Sequence, residues 1–247
     1  MNIVDHDATY AWLRNNNLKK ETEALIMAAQ EQSLRTNSIR AKIDRTIDSD
    51  KCRMCKQLQE TSEHLVSGCS KLAQKEYKRR HDKIATLIHW NILKENGFPI
   101  EQQWYNHQPN TVTESATTKI LWDFNIQTDK VIEARRPDIL VLDKRNKAAT
   151  IIDIAVPTDR NVKDKQDEKI DKYQELAFEL KRLWKLVQLP RVVPVVIGAL
   201  GAIPHGHKKH LTQIGMGDKW TQAAIQKAAI LGAARILWKV LSLPGDR

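Results

Sequence analysis

Two acidic residues interrupt short apolar runs near the middle of the chain. Asp138 opens the run 139–142, and Asp153 lies inside the run 150–156. A carboxylate in such a segment costs several kcal/mol unless it is paired or bound to a metal ion. Two acids on adjacent strands can bind Mg²⁺ or Mn²⁺ through oxygen, and a water on that ion can attack a phosphodiester. The pattern therefore predicts a magnesium or manganese site for phosphodiester hydrolysis.

All three cysteines of the chain fall in one short segment that also contains a histidine. The spacing is C-x2-C-x8-H-x4-C, formed by Cys52, Cys55, His64 and Cys69. Thiolate and imidazole ligands in closed four-coordination favour structural zinc and leave no open position for catalysis. An iron–sulfur site fits three cysteines less well, and unliganded cysteines beside a surface histidine are the remaining alternative. An odd number of cysteines also disfavours a disulfide framework.

A lysine two positions after the second acid usually accompanies such an acid pair, but Ala155 occupies that position. The following predicted helix offers a substitute. Helical spacing places four of its residues on one face, namely Lys169, Lys172, Tyr173 and Leu176. A lysine reaching back from this helix can supply the missing positive charge. The alternative is an exposed, charged helix whose lysines are solvated.

Hydrophobic periodicity predicts an α/β fold around the two acids. We expect helices over 10–46 and 71–96, then a polar connection over 100–117. A core in the order helix, three strands, helix, strand should follow. Its strand-like runs are 119–127, 130–133 leading into 138–142, 149–156 and 191–200, its crossover helix is 163–188, and a last helix spans 219–241 with Asp218 as N-cap. A turn at 143–146 joins the two acid-bearing strands.

Composition divides the chain into four predicted regions. They are a helical N-terminal region (1–50), a CCHC zinc knuckle (51–70), the core (71–205) and a C-terminal helical extension (206–247).

Six tryptophans fall at core-compatible positions, so we predict that they pack in the interior and do not stack on bases: Trp90, Trp104, Trp122, Trp184, Trp220 and Trp238.

The charge of the chain favours a polyanionic partner. Forty Lys and Arg against 30 Asp and Glu give a net charge of +10 and a pI near 9.5. Nucleic acid is the natural candidate, and a solubilising surface is the alternative, because the basic residues are spread along the chain. The sequence has neither a signal-peptide pattern nor a run of ~18–20 apolar residues that would span a membrane. We therefore expect a soluble protein of the nucleus or cytoplasm that is not secreted and has no membrane partner.

The order of these motifs resembles a known family. The Cys/His segment, then Arg80, His81 and Asp82, then Arg136, Pro137 and Asp138, then Asp153 and the segment 169–176, are similar to the restriction-like endonuclease domain at the C-terminus of site-specific non-LTR retrotransposon polyproteins. In that family a CCHC knuckle precedes an Arg-His-Asn motif and a PD-(D/E)XK-type nuclease whose catalytic lysine has moved to the next helix, beside a Lys-Tyr-x-x-Leu motif. The resemblance covers about residues 50–200. Asp82 departs from the family pattern, which has asparagine.

The resemblance implies a role for each matching residue. Asp138 and Asp153 would bind magnesium, Lys169 would be the migrated catalytic lysine, and Lys172 with Tyr173 would assist or orient. The implied nucleic-acid contacts are Arg80, His81 and Arg136. Without the family, His81 is equally well interpreted as an ordinary surface residue. Asp129 and Glu133 are possible third acids.

The resulting expectation is a magnesium-dependent DNA endonuclease with a restriction-endonuclease-like core, which nicks target DNA for target-primed reverse transcription. DNA is the expected partner, with element RNA as a second. No reverse transcriptase motif is present, so that region is expected upstream in a parent polyprotein, of which this chain is a fragment or surviving tail. The first rival is a catalytically inactive, zinc-knuckle nucleic-acid-binding module derived from such an element. The second is a helical scaffold stiffened by zinc.

Overall fold

A five-stranded mixed sheet forms the centre of the protein, whose computed structural model describes residues 3–15 and 17–243. Its spatial order follows the chain: β1 (Val112–Glu114), β2 (Thr118–Trp122), β3 (Ile139–Asp143), β4 (Ala148–Ala155) and β5 (Arg191–Val196). Strands β1 to β4 pair antiparallel, and β5 pairs parallel to β4. The α/β class predicted from sequence is confirmed.

The described part of the chain also contains ten α-helices. They are α1 (His6–Thr9), α2 (Ala11–Asn15), α3 (Lys20–Gln30), α4 (Asn37–Lys42), α5 (Ser70–Leu72), α6 (Lys78–Glu95), α7 (Val162–Lys172), α8 (Gln174–Leu183), α9 (His207–Thr212) and α10 (Lys219–Leu241). Single π-helical turns occur at His64–Gly68 and Ala73–Tyr77, and 3₁₀ turns occur at Trp104–Asn106 and Asp159–Asn161. Among the described residues, no helix is both long and apolar enough to cross a membrane.

The β3–β4 hairpin sets the relation between the two acids. Ile139 pairs with Ile152, and the same antiparallel register places Asp138 opposite Asp153. Because side chains alternate along a strand, Asp153 shares a sheet face with Ile151, which packs against α8. The other face, which includes Ile152, packs against α6 and α10.

A broken helix makes the crossover from β4 to the parallel strand β5. Parallel strands need such a connection, and α7 and α8 provide it. The sequence predicted one helix over 163–188, but helical geometry is interrupted at Tyr173 (φ −104°, ψ 8°). The Tyr173 ring is fully buried in the cluster between the sheet and α8. This break gives the Tyr173 hydroxyl access to the acid on β4.

Four other predictions of secondary structure differ from the structure. Residues 112–114, predicted as part of a polar connection, form the edge strand β1, so four strands precede the crossover. The sequence of β1 shows no apolar pattern because the strand is short and Val112 is 42% exposed. Residues 130–133 form no strand. The helical region 10–46 is divided among short helices. The helix predicted over 71–96 is divided into α5, the π turn Ala73–Tyr77 and α6. The boundaries of the four regions predicted from sequence stay a prediction.

Helix α10 joins the sheet to the Cys/His segment. Its N-terminal half, including Ile225 and Ala229, packs in the core between the sheet and α6. Its C-terminal half, including Ile230 and Leu237, packs in a second core with the three cysteines and Trp12. Asp218 caps α10 by accepting a hydrogen bond from the Thr221 amide (2.8 Å), as predicted. Two buried stripes explain why this helix is apolar around much of its circumference.

A partly buried carboxylate stabilises the turn after β5. Asp159 Oδ1 accepts a hydrogen bond from the Leu200 amide (2.9 Å). A Cβ atom at Gly198 would lie only 2.2 Å from this oxygen, so the turn requires glycine there. Burial raises the pKa of Asp159 to about 6, although the amides of Leu200 and Ala202 act in the opposite direction.

We expect Asp159→Asn to stabilise the protein at neutral pH. The pKa of Asp159 is higher in the folded chain than its ordinary value of 3.8, so the folded state binds more protons and stability falls as pH rises from about 4 to 6. Asparagine keeps the acceptor and removes the charge. Urea unfolding should show that the substitution raises the free energy of unfolding at both pH values. The increase at pH 7.5 should exceed the increase at pH 4.5 by about 1–2 kcal/mol. Equal gains at both pH values would contradict this cause, and Asp48→Asn at an exposed position is the control.

Candidate functional site

Asp138 lies just before β3 and contacts helix α6. Its Oδ2 atom accepts a hydrogen bond from the Ile154 amide (2.6 Å) and lies 3.1 Å from His81 Nε2. The His81 Nδ1 atom lies 3.2 Å from Asp82, which also pairs with Lys78 (2.6 Å). A chain of alternating charges therefore connects α6 to the first acid.

The charges of this pair reinforce each other. Burial alone would lower the pKa of His81, but Asp138 and Asp82 raise it to about 9, so the ring is an imidazolium at neutral pH and donates to both acids. Burial alone would raise the pKa of Asp138, but His81, the Ile154 amide and Lys169 together bring it below its ordinary value. Asp138 is therefore a carboxylate at neutral pH.

Asp153 is the more deeply buried acid, with 2% of its surface exposed. The Tyr173 hydroxyl donates to Oδ1 (2.5 Å), and Lys169 Nζ lies 2.5 Å from Oδ2 as an ion pair. This second contact lacks the alignment of a hydrogen bond, and no other described residue donates to Oδ2. Lys172 donates to the Tyr173 oxygen (3.0 Å). Burial and the negative charge of Asp153 raise the pKa of Tyr173, so its phenol stays protonated.

A surface cleft of about 740 Å³ opens beside Asp138. His81, Asp82, Trp122, Asp123 and Asp138 are among its lining residues. Asp123 lies on one wall of the cleft, where it forms an exposed ion pair with Arg136 (2.7 Å). Asp138 therefore faces solvent through this cleft, whereas Asp153 is not among the residues that line it.

The structure brings most of the predicted site residues together. Asp138 contacts His81, and Asp153 contacts Tyr173 and Lys169. Lys172 contacts Tyr173, and the charge of Lys169 also lowers the pKa of Asp138, so the two groups are close to each other. Arg136 and Arg80 line the cleft, but Arg136 pairs with Asp123, and Arg80 is only 2% exposed and donates to the Val156 carbonyl (3.3 Å). The sequence did not indicate that Asp123 lines the cleft, because its partner Arg136 is thirteen residues away across a loop.

Asp138 and Asp153 offer carboxylate oxygens, which are the ligand type that a hard divalent ion prefers. Mg²⁺ keeps several waters and is commonly held by one or two carboxylates. Asp138 and Asp153 are opposite each other on adjacent strands, which matches this donor set. No third acid joins them among the described residues, since Asp129 pairs instead with Arg182 (2.6 Å). The position of Lys169 means that an ion binding Asp153 Oδ2 must share that oxygen with an ammonium group.

The Cys/His segment forms a compact ligand cluster. The ligand atoms of Cys52, Cys55, His64 and Cys69 lie within 4.8 Å of one another, and all four residues are buried. The Sγ atoms of Cys52 and Cys69 are 3.9 Å apart, and Cys55 Sγ is 3.4 Å from His64 Nε2. A tetrahedral zinc ion with the usual bond lengths would set these separations at roughly 3.8 and 3.5 Å. The cluster can bind a metal ion, and its donor set is compatible with structural zinc.

Backbone hydrogen bonds prepare this cluster. Lys56, at φ +60°, closes the tight turn by donating its amide to the Cys52 carbonyl (2.8 Å). Amides of Leu58 and Gln57 lower the pKa of the Cys55 thiol to about 6, which favours the thiolate that metals bind. Burial instead raises the pKa of Cys52 to about 11.

Two polar side chains tie the cluster to its surroundings. The Tyr77 hydroxyl accepts from the Cys69 amide (2.9 Å) and donates to the Leu65 carbonyl (2.9 Å). Arg53 pairs with the fully buried Glu60 (2.7 Å) and reaches the Val240 carbonyl at the end of α10 (3.3 Å). The cluster is therefore anchored to both α10 and the π turn before α6.

Comparison with known proteins gives no family assignment. No protein-family model matches the chain, and no curated protein matches it.

Proposed function

We propose that this chain is a metal-dependent DNA endonuclease of the restriction-like type found in non-LTR retrotransposons. The supporting observation is that Asp138 and Asp153 lie opposite each other while Lys169 contacts Asp153 from the crossover helix. This arrangement combines two oxygen ligands with a positive charge. It agrees with a PD-(D/E)XK-type site whose lysine has moved to the next helix.

The proposed chemistry is hydrolysis of a phosphodiester. A bound Mg²⁺ or Mn²⁺ ion would supply an activated water and a Lewis acid. The chain's own residues position its ligands: His81 and the Ile154 amide fix Asp138, and Tyr173 fixes Asp153. Lys169 supplies a cation beside the ligands, where it can stabilise charge developing on the phosphate.

The remaining features are consistent with an element-derived nuclease. A helix, antiparallel strands and a parallel strand reached through a crossover form the proposed restriction-like core. The Cys/His cluster would hold structural zinc. DNA is the proposed partner, element RNA a second, and a reverse transcriptase region upstream in a parent polyprotein would extend the nicked strand. Access to a genomic target implies the nucleus.

One observation favours the rival function, a catalytically inactive nucleic-acid-binding module. Both oxygens of Asp153 already contact protein groups, Tyr173 and Lys169. The lysine could therefore neutralise the buried acid permanently and leave no metal site. In that case the basic surface and the Cys/His cluster would bind nucleic acid without cleaving it.

Nicking of supercoiled plasmid separates these proposals. The wild-type chain, Asp138→Ala and Asp153→Ala should be compared with Mg²⁺, Mn²⁺ or EDTA at matched DNA binding. We expect the wild type to nick only with a divalent ion and both variants to bind DNA without nicking. A wild type that binds DNA but never nicks would establish the inactive module. A protein with no salt-dependent DNA affinity would reject both in favour of the zinc-stiffened scaffold.

A further inference from the structure

A second concave surface lies between α6 and α10, outside the acid pair. This α6–α10 groove has a volume of about 910 Å³, and we define it by Arg79, Lys83, Tyr105, Trp220 and Arg235. The two helices approach closely at its floor, where a Cβ atom at Gly232 would lie 2.4 Å from Cγ of Arg80. The floor is therefore packed, while the walls present side chains to solvent.

The walls of the groove carry excess positive charge. Arg79 and Lys83 lie one turn apart on α6, and Arg235 faces them from α10; all three are exposed. All three cations line the same groove, and burial together with the charges of Arg79 and Arg235 lowers the pKa of Lys83. Among the described residues, none of these three forms an ion pair. The acid of the groove, Glu76, is buried and paired with Lys239, and the charges of Arg79 and Arg235 also lower its pKa, so one carboxylate faces several cations. An anion would relieve this repulsion.

Exposed aromatic rings flank these cations. Trp220 is 58% exposed at the start of α10, which corrects the prediction that it packs in the interior. Tyr105 is 65% exposed, and its ring is held edge-on by Trp104 with ring centroids 6.0 Å apart. Large aromatic surface beside unpaired cations is the combination that binds single-stranded nucleic acid, because bases stack on the rings and phosphates contact the charges. Duplex DNA keeps its bases stacked on each other and cannot use the rings in this way.

We propose that the α6–α10 groove binds single-stranded DNA, with bases stacked on Trp220 and Tyr105 and phosphates held by Arg79, Lys83 and Arg235. The groove is continuous with the cleft at Asp138. Between them lies a shallower hollow of about 440 Å³, which shares Lys78 with the cleft and Arg79 with the groove. A strand released beside the acid pair can therefore follow this hollow into the groove, past Lys75, Lys78 and Arg79 on a lining that also includes Asp82. This inference rests on the proposed nuclease function, which supplies the single strand.

Fluorescence anisotropy of labelled oligothymidine tests the groove directly. We expect the variant Tyr105→Ala with Trp220→Ala to lose affinity by about 10- to 100-fold, and Trp220→Phe to retain most of it. Phe178→Ala removes an exposed aromatic ring from α8, outside the groove, and is the matched control. For the charges, Arg79→Ala, Lys83→Ala and Arg235→Ala together should flatten the salt dependence of binding. Their control is the exposed set Lys20→Ala, Lys130→Ala and Lys181→Ala.

Three outcomes would overturn the inference. The first is an aromatic variant that binds oligothymidine as tightly as the wild type. The second is an equal loss of affinity in the groove variants and their controls. The third is a wild type that prefers duplex DNA or oligouridine to oligothymidine. Nicking by the same proteins separates this inference from the proposed function. If the wild type nicks but the groove variants bind oligothymidine normally, only the groove fails. If Asp138→Ala binds oligothymidine through the groove and the wild type never nicks, only the nuclease fails.

Discussion

Removal of a metal ion bound at the Cys/His cluster is expected to unfold the second core of the protein. Structural zinc contributes on the order of 10 kcal/mol to the folding of small zinc domains, which equals the whole stability of many proteins. Here the ligands Cys52, Cys55 and Cys69 share a buried core with Trp12 and Leu237. Without the ion, the four ligands no longer hold the segment 52–69 together, and this core loses one of its walls.

The measurement is thermal unfolding and limited proteolysis with and without a zinc chelator. The wild type should contain one zinc per chain, and chelation should expose the segment before α6 to protease and lower the unfolding temperature steeply. Cys55→Ser should reproduce the chelated state, whereas Met54→Ser in the same turn should not. Full stability after complete removal of the metal would show that the four residues are an ordinary buried cluster.

Loss of the metal ion should also destabilise the rest of the fold, because α10 contacts both cores. Leu65 and Val66 of the π turn belong to the same cluster as Ile230 and Leu237. The N-terminal half of α10 packs on α6 and the sheet. We therefore expect the acid pair to be disturbed indirectly, since His81 on α6 holds Asp138. A helix shared by two cores transmits the loss of one core to the other.

Both sites could be predicted from sequence where their geometry is local. The spacing of the Cys/His ligands limits them to one short loop, and the structure places their ligand atoms within 4.8 Å. The acids are symmetric about the β3–β4 turn, so antiparallel pairing alone places Asp138 opposite Asp153. Lys169 lies one turn before Tyr173, and both reach the same acid.

Features that depend on tertiary packing could not be predicted from periodicity. The crossover helix breaks at Tyr173, whose ring is buried between the sheet and α8, although the surrounding sequence retains a helical pattern. Trp220 has an apolar side chain at a helical position, but α6 does not cover it. The short edge strand β1 pairs only with β2, so its residues show no buried alternation.

Asp138→Asn is expected to remove nicking activity while keeping the fold. The asparagine oxygen can still accept from the Ile154 amide, so the shape of the site is preserved. The loss of the charge removes one metal ligand and the partner of His81. Loss of a positioned electrostatic group typically lowers a rate by roughly 10²–10³-fold. Asp123→Asn, on the wall of the same cleft, is the matched control and should nick nearly as fast as the wild type.

Lys169→Met provides the companion variant, because it tests whether a metal ion shares Asp153. Removing the lysine leaves a carboxylate that is 2% exposed without a cation, which should cost about 3–5 kcal/mol of stability in the absence of metal. A divalent ion that binds Asp153 would restore part of that loss. Thermal shifts with Mg²⁺ or Mn²⁺ should therefore be larger for Lys169→Met than for the wild type.

The control for this variant is Lys165→Met, which removes a surface pair with Glu168 (2.5 Å) on the same helix. It should show the same metal response as the wild type, since neither residue contacts the acids. A Lys169→Met protein that is destabilised but indifferent to divalent ions would mean that the lysine is the permanent partner of Asp153. Metal rescue of stability without nicking would instead separate ligand binding from catalysis and assign to Lys169 the charge that stabilises the phosphate.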